Sequence, residues 1–100
     1  MDRERPDSRL LEARRSARVV NSAGLHARPC HQIVSAALAH DCELRIRCRD
    51  LEVNGRSILE LMTLQAGPDA VLEFLAHGRD AEELVSHLAA LVEAGFEERD

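Results

Sequence analysis

His26 and Arg28 are the side chains in this sequence whose types and spacing best suit phosphoryl chemistry. They lie where a loop signal, residues 21–24, gives way to a helical pattern. The first N–H groups of a helix have no intrahelical partner, and the helix dipole adds partial positive charge there. A phosphoryl group on the imidazole would meet these donors and the fixed charge of Arg28. The same field disfavours an imidazolium and leaves a ring nitrogen able to attack phosphorus.

A histidine that precedes a helix also has a plainer interpretation, as a helix cap or an ordinary surface group. Gly24 favours the chemical interpretation, because a residue without a side chain lets the loop expose the neighbouring ring. Pro29 fits the first helical turn, where its missing N–H has no partner to lose.

Residues 24–29 read GLHARP, and this stretch resembles the signature of histidine-containing phosphocarrier proteins (HPr) of the bacterial phosphotransferase system, including its nitrogen-related branch. The resemblance extends over residues 18–97 and includes Ser57-Ile58, Met62, Gly78 and Gly95-Phe96. It implies an α+β open-faced β-sandwich of order β-α-β-β-α-β-α. A four-stranded, mainly antiparallel sheet would carry three helices on one face.

The resemblance also implies that enzyme I phosphorylates Nδ1 of His26 with a group taken from phosphoenolpyruvate. The phosphoryl group would then pass to a histidine on an enzyme IIA protein. The chain would thus be a carrier with a transient phosphohistidine, not an independent catalyst, and no cofactor or metal is implied. Arg28 would contact the phosphate, and the start of the helix would be shaped by Gly24, Ala27 and Pro29. A docking rim for partners would be formed by four apolar residues, Leu25, Ile58, Leu61 and Met62.

Ser57 supports two hypotheses. By resemblance it corresponds to the serine that HPr kinase/phosphorylase modifies in some bacteria. The chain would then be a regulatory binding module whose phosphorylation state, on His26 or Ser57, controls a transcriptional or metabolic partner. Alternatively, Ser57 is a structural cap, because Glu60 three residues later completes a capping box. Glu60 stands where the family commonly has glycine, and its carboxylate would repel a phosphoserine.

The composition limits the other classes of function. One hundred residues make one domain, and two aromatic residues provide no stacking platform for single-stranded nucleic acid. A net charge of -5 repels nucleic acid and anionic lipid. No apolar run is long enough for a membrane span or a signal-peptide core. We therefore predict a cytoplasmic protein with neither nucleic-acid nor membrane partners. We also expect it to be a monomer.

The three cysteines include no CxxC pair, which favours reduced thiols over disulfides. A zinc site is disfavoured because the spacings match no common ligand pattern among its candidates, Cys30, His31, Cys42 and Cys48. Cys42 and Cys48 also alternate in phase with apolar neighbours, as core residues do. The remaining histidines are predicted to lie on the surface: His31, His40, His77 and His87.

The hydropathy pattern predicts strands over residues 17–21, 42–48, 51–53 and 70–76 and helices over 27–40 and 57–64. A last helix begins near Asp80, which opens a second capping-box-like start, and Gly95 is placed to end it. We interpret residues 1–16 as a flexible charged extension and 17–100 as the HPr-like domain. If Leu72 and Phe74 face the helices, Val71 and Leu75 face the other way, as does Val20. The resulting apolar patch would be covered by Leu10 and Leu11, or would mediate dimerisation.

Overall fold

The computed structural model describes residues 11–97, and helices and strands alternate there in the predicted order. The strands are β1 (Glu12–Arg18), β2 (Glu43–Cys48), β3 (Leu51–Asn54) and β4 (Val71–His77). The helices are α1 (Ala27–Leu38), α2 (Ile58–Met62) and α3 (Ala81–Glu93), and a single 3-10 turn, Gly95–Glu97, follows α3. None of the helices in this range is long and apolar enough to cross a membrane.

The four strands form one antiparallel sheet in the order β1-β4-β2-β3. The central strands are β4 and β2, and the edges are β1 and β3. β2 and β3 are joined by a two-residue turn, because Cys48 pairs directly with Leu51. The predicted α+β open-faced sandwich is therefore confirmed.

The core lies between one face of the sheet and the helices. On β4, Leu72, Phe74 and Ala76 are buried, while the residues between them are half-buried on the opposite face. The helices contribute their own buried stripe, including Ile33, Val34, Leu84, Val85, Leu88 and Val92. Each fully buried Leu, Ile or Phe side chain contributes roughly 1.5–3 kcal/mol relative to an exposed one. The helix-facing orientation predicted for Leu72 and Phe74 is confirmed.

The first strand differs from the prediction. It spans Glu12–Arg18 rather than residues 17–21, so residues 12–16 are part of the sheet. The strand was not recognised from alternating apolar and polar residues, because polar side chains occupy both of its faces. Arg15 points to the helix side, where its Nη2 donates to Ser86 Oγ on α3 at 3.0 Å. Residues 1–10 of the predicted extension lie outside the described residues.

The open face of the sheet carries charged side chains next to apolar ones. Leu75 points away from the helices as predicted, but it lies between Arg14 of β1 and Arg45 of β2. Nearby, Glu52 accepts from Arg45 Nε at 3.1 Å and from Arg47 Nη2 at 3.0 Å. Val20 and Val71, the other residues of the predicted apolar patch, are 53% and 50% exposed, while Leu75 is half-buried beside the charged side chains. What covers this patch stays a prediction. Of its two predicted covering residues, Leu10 lies outside the described residues, and Leu11 is partly exposed.

The helix ends show one confirmation and one correction. Gly95 ends α3 with a φ of +66°, the left-handed conformation expected of a glycine after a helix. Asp80 precedes α3, but its side chain makes no capping hydrogen bond there. Its Oδ2 instead accepts from Asp41 N at 2.7 Å, which ties the start of α3 to the segment before β2.

Candidate functional site at the start of α1

His26 occupies the N-cap position of α1, the loop-to-helix junction predicted from the sequence. Its backbone is extended, with φ -102° and ψ -168°, and its side chain makes no capping hydrogen bond. The residue is half-buried. Of the two plainer interpretations, the helix cap is therefore wrong, and the ordinary surface group stays as the alternative to the chemical interpretation.

The first turn of α1 has few internal partners for its N–H groups. Cys30 N donates to His26 O at 3.1 Å, and Pro29 has no N–H. Ala27 and Arg28 are both exposed, and their amides lie in the part of a helix that has no intrahelical acceptor. Together they offer two backbone donors beside the guanidinium of Arg28.

No acidic residue lies in the first turn of α1. By contrast, α2 has Glu60 in its first turn, and α3 has Glu82 and Glu83. Carboxylates at a helix N-terminus neutralise the positive end of the helix dipole. Of the three α-helices in residues 11–97, α1 alone lacks both a side-chain cap and an acid there, so its N-terminus suits an external anion.

The loop before His26 packs closely on the segment that follows α2. Gly24 has a φ of +67°, and a Cβ added to it would lie 2.6 Å from Ala66 O and 2.9 Å from Gly67 Cα. Leu25 N donates to the same Ala66 O at 2.8 Å. Gly24 is therefore required by backbone conformation and close approach, not only by the exposure of the ring that the sequence suggested.

The predicted docking rim needs correction. Leu61 is fully buried and Leu25 is only 7% exposed, so neither offers much surface to a partner. Ile58 is half-buried, and Met62 is 42% exposed. An apolar residue that the predicted rim did not include, Leu59, is 82% exposed. Leu59 and Met62 are three residues apart, which places both on one face of α2. This spacing in the sequence could have revealed Leu59.

Ser57 is half-buried and caps α2, since its Oγ accepts from Glu60 N at 3.2 Å. The other half of the predicted capping box is different. Glu60 Oε1 accepts from Asn54 N at 2.9 Å instead of from Ser57 N. The Glu60 side chain therefore ties α2 to the end of β3.

The other histidines lie on the surface with one exception. His31, His77 and His87 are exposed, as predicted. His40 is partly buried, with Nδ1 2.7 Å from Ala36 O and Nε2 3.5 Å from Glu83 Oε2. Its ring also stacks on His87 with centroids 6.3 Å apart. It follows the C-terminal end of α1, so it is separated from His26 by the length of the helix.

The cysteines are free thiols, with Cys30 and Cys48 buried and Cys42 half-buried. Burial raises the pKa of the Cys30 thiol. The pKa of Cys42 is also raised, mainly by burial and then by the negative charge of Asp80. A thiol with a raised pKa is a weak nucleophile at neutral pH. Within residues 11–97, no three His, Cys, Asp or Glu side chains are arranged to hold a metal ion.

The fold and the site together define a class of protein: a small open-faced α+β domain with a histidine at an uncapped helix N-terminus. Comparison with known proteins identifies the family. The sequence model described as "PTS HPr component phosphorylation site" matches residues 13–94. The chain therefore belongs to the HPr family of phosphocarrier proteins of the phosphotransferase system.

Individual relatives agree with this assignment. The phosphocarrier protein HPr of Treponema pallidum is 36% identical over 84 residues, which cover 84% of this chain and 96% of that protein. The phosphocarrier protein NPr of Shewanella violacea is 29% identical over 89 residues, with 89% and 98% covered. The crystal structure of HPr-C-His from Thermoanaerobacter tengcongensis superposes with a TM-score of 0.82 at 30% identity. It covers 88% of this chain and 99% of that one.

Proposed function

We propose that this chain is a phosphoryl carrier of the phosphoenolpyruvate-dependent phosphotransferase system, with His26 as the phosphorylated residue. Enzyme I would donate the phosphoryl group to His26, and a histidine of an enzyme IIA protein would accept it. These partners place the proposed reaction in the cytoplasm. The observation that carries the proposal is the N-terminus of α1, which has neither a side-chain cap nor an acidic residue in its first turn.

The proposed step is an in-line transfer between two imidazoles. A lone pair on Nδ1 of His26 forms a bond to phosphorus while the N–P bond of the donor breaks and its electrons return to the donor nitrogen. The transferring group carries its charge on three equatorial oxygens. The amides of Ala27 and Arg28 would donate to these oxygens, and the Arg28 guanidinium would supply a positive charge. Transfer to enzyme IIA is the same step with His26 as the donor.

Partner docking would use the apolar surface of α2. Leu59 and Met62 are both exposed on this short helix. The segment after α2 supplies Ala66 O, which accepts from Leu25 N at 2.8 Å. The segment after α2 therefore supports the loop before His26. A partner bound to α2 would contact a helix that a short loop joins to this segment.

The test is phosphorylation of the purified chain by enzyme I and phosphoenolpyruvate. The wild type should gain an acid-labile phosphate, and His26→Ala should gain none. His31→Ala is the matched control, because His31 is an exposed histidine on the same helix. Label retained by His26→Ala, or no label on the wild type, would overturn the proposal.

Arg28→Ala measures the contribution of the guanidinium in the same assay. A hydrogen bond to a charged group contributes about 1.5–3 kcal/mol. The transfer rate should therefore fall by at least about tenfold if Arg28 contacts the transferring phosphate. Arg28→Lys should recover only part of the rate, since an ammonium lacks the planar donor pair. An unchanged rate for Arg28→Ala would remove this residue from the proposed site.

A further inference from the structure

Asn21 is the only polar residue among residues 11–97 that is buried, with 2% of its surface exposed. Burial of an amide is unfavourable unless it is hydrogen-bonded. Its Nδ2 donates to Gly24 O at 2.9 Å. The side chain is therefore held inside the protein by a bond to the loop that leads to His26.

The C-terminal turn lies next to Asn21. Gly95 lies over the segment that follows β1, where a Cβ added to it would be 3.4 Å from Val20 Cγ2 and 3.8 Å from Asn21 Cβ. Asn21 O also accepts from Gly24 N at 3.1 Å, which closes a β-turn over residues 21–24. Backbone and side chain of Asn21 therefore hold the same turn at two points.

The peptide unit between Gly24 and Leu25 is fixed on both sides. Its carbonyl oxygen accepts from Asn21 Nδ2, and its N–H donates to Ala66 O at 2.8 Å. Glycine permits backbone conformations that other residues do not, so a peptide next to Gly24 is more able to rotate than most. Two hydrogen bonds of opposite polarity select one orientation of this peptide.

The orientation of this peptide sets the path of the chain into His26. Gly24 O also accepts from His26 N at 3.2 Å, so the same carbonyl contacts the backbone of the histidine. Phosphoryl transfer depends on the placement of the attacking nitrogen relative to phosphorus. A rotation of the Gly24–Leu25 peptide would move that nitrogen relative to the amides of α1.

We propose that Asn21 is a positioning residue for phosphoryl transfer at His26, through the bond from its side-chain amide to Gly24 O. Asn21 does not contact the phosphate in this role. The inference rests on the proposed function of His26 and adds a residue outside the GLHARP stretch. A residue that merely stabilised the fold would affect unfolding without affecting the transfer step.

The test compares Asn21→Ala with the wild type in steady-state phosphorylation by enzyme I. The kcat should fall by about two- to twelve-fold, the factor that corresponds to one hydrogen bond. The KM for the carrier should stay within about twofold, because the exposed side chains of α2 are unchanged. The imidazole ¹⁵N signals of His26 should also shift in NMR spectra of the unphosphorylated variant.

Two further variants separate positioning from stability. Ile46→Val shortens a fully buried side chain of β2, and it should lower stability without changing kcat. Asn21→Leu has nearly the shape of asparagine but no N–H donor and no buried charge, so it repeats the measurement if Asn21→Ala does not fold. A kcat for the Asn21 variants within twofold of Ile46→Val would overturn the inference. Absence of label on the wild type would instead overturn the proposed function.

Discussion

Gly24→Ala should damage both the fold and phosphoryl transfer, because this position has no room for a side chain. The added Cβ would lie 2.6 Å from Ala66 O and 2.9 Å from Gly67 Cα, and both of these are backbone atoms. Backbone cannot move aside as cheaply as the end of a flexible side chain. The loop before His26 must therefore separate from the segment after α2.

Three contributions set the size of the effect. A left-handed backbone at an L-residue costs roughly 1–2 kcal/mol, and the Gly24 φ is +67°. Loss of the 2.8 Å hydrogen bond from Leu25 N to Ala66 O costs about 0.5–1.5 kcal/mol. Overpacking adds about 1–3 kcal/mol where the loop does not separate fully. We expect a loss of about 2–4 kcal/mol in the free energy of unfolding, a large part of the 5–15 kcal/mol typical of a domain.

Gly67→Ala is the matched control. The same one-methyl change there meets no atom within 4 Å, and Gly67 has no positive φ. It should leave stability unchanged or raise it by about 0.4–1 kcal/mol, because alanine restricts the unfolded chain.

Urea unfolding of the two variants and the wild type gives the free energies, and the phosphorylation assay gives the transfer rates. At about 4–8 °C per kcal/mol, the Tm of Gly24→Ala should fall by roughly 8–30 °C. If Gly24→Ala and Gly67→Ala differ by less than about 0.5 kcal/mol, the packing described for the His26 loop is incorrect.

Three further predictions concern the ends of α1 and α2 and the open face of the sheet. Ser57→Ala removes the cap of α2 and should cost about 1 kcal/mol in urea unfolding; label on Ser57 after incubation with HPr kinase/phosphorylase and ATP would contradict a purely structural role. Hydrogen bonds from Arg45 and Arg47 lower the pKa of Glu52. Its stabilising contribution is therefore complete above the ordinary glutamate pKa and disappears as pH falls through the lowered value. The stability difference between wild type and Glu52→Gln should accordingly be larger at pH 7 than at pH 3, and equal differences would contradict it. His26→Asp should raise the free energy of unfolding by about 0.5–1 kcal/mol while abolishing acid-labile phosphorylation, because aspartate caps a helix that histidine leaves uncapped.

The features that the sequence predicted correctly depend on neighbouring residues. The periodic pattern in residues 27–40 located α1, and strict alternation located β2. The position of His26 at a helix start followed from these patterns and from Pro29. Such signals need no knowledge of distant parts of the chain.

The features that the sequence did not predict depend on partners far along the chain. Arg15 is in the sheet with a hydrogen bond to Ser86, 71 residues away. Asp80 binds the backbone of Asp41, 39 residues away, instead of capping its own helix. His40 contacts Glu83 of α3, although the sequence predicted an ordinary surface position for this histidine. Local patterns do not encode these pairings, because they arise only when the sheet and helices have packed.

Two residues at the start of α1, His26 and Pro29, make it a poor helix N-terminus and leave amides there that suit an anion. A capping side chain usually accepts from the second or third N–H of a helix, and Pro29 at the third position has none. His26 makes no capping bond, so α1 forgoes roughly 1 kcal/mol that Ser57 provides to α2. The α1 helix still forms because Ile33, Val34 and Ala37 are buried against the rest of the core. Tertiary packing therefore supplies the stability that the first turn lacks, and the amides of Ala27 and Arg28 remain available for the phosphoryl group of the proposed function.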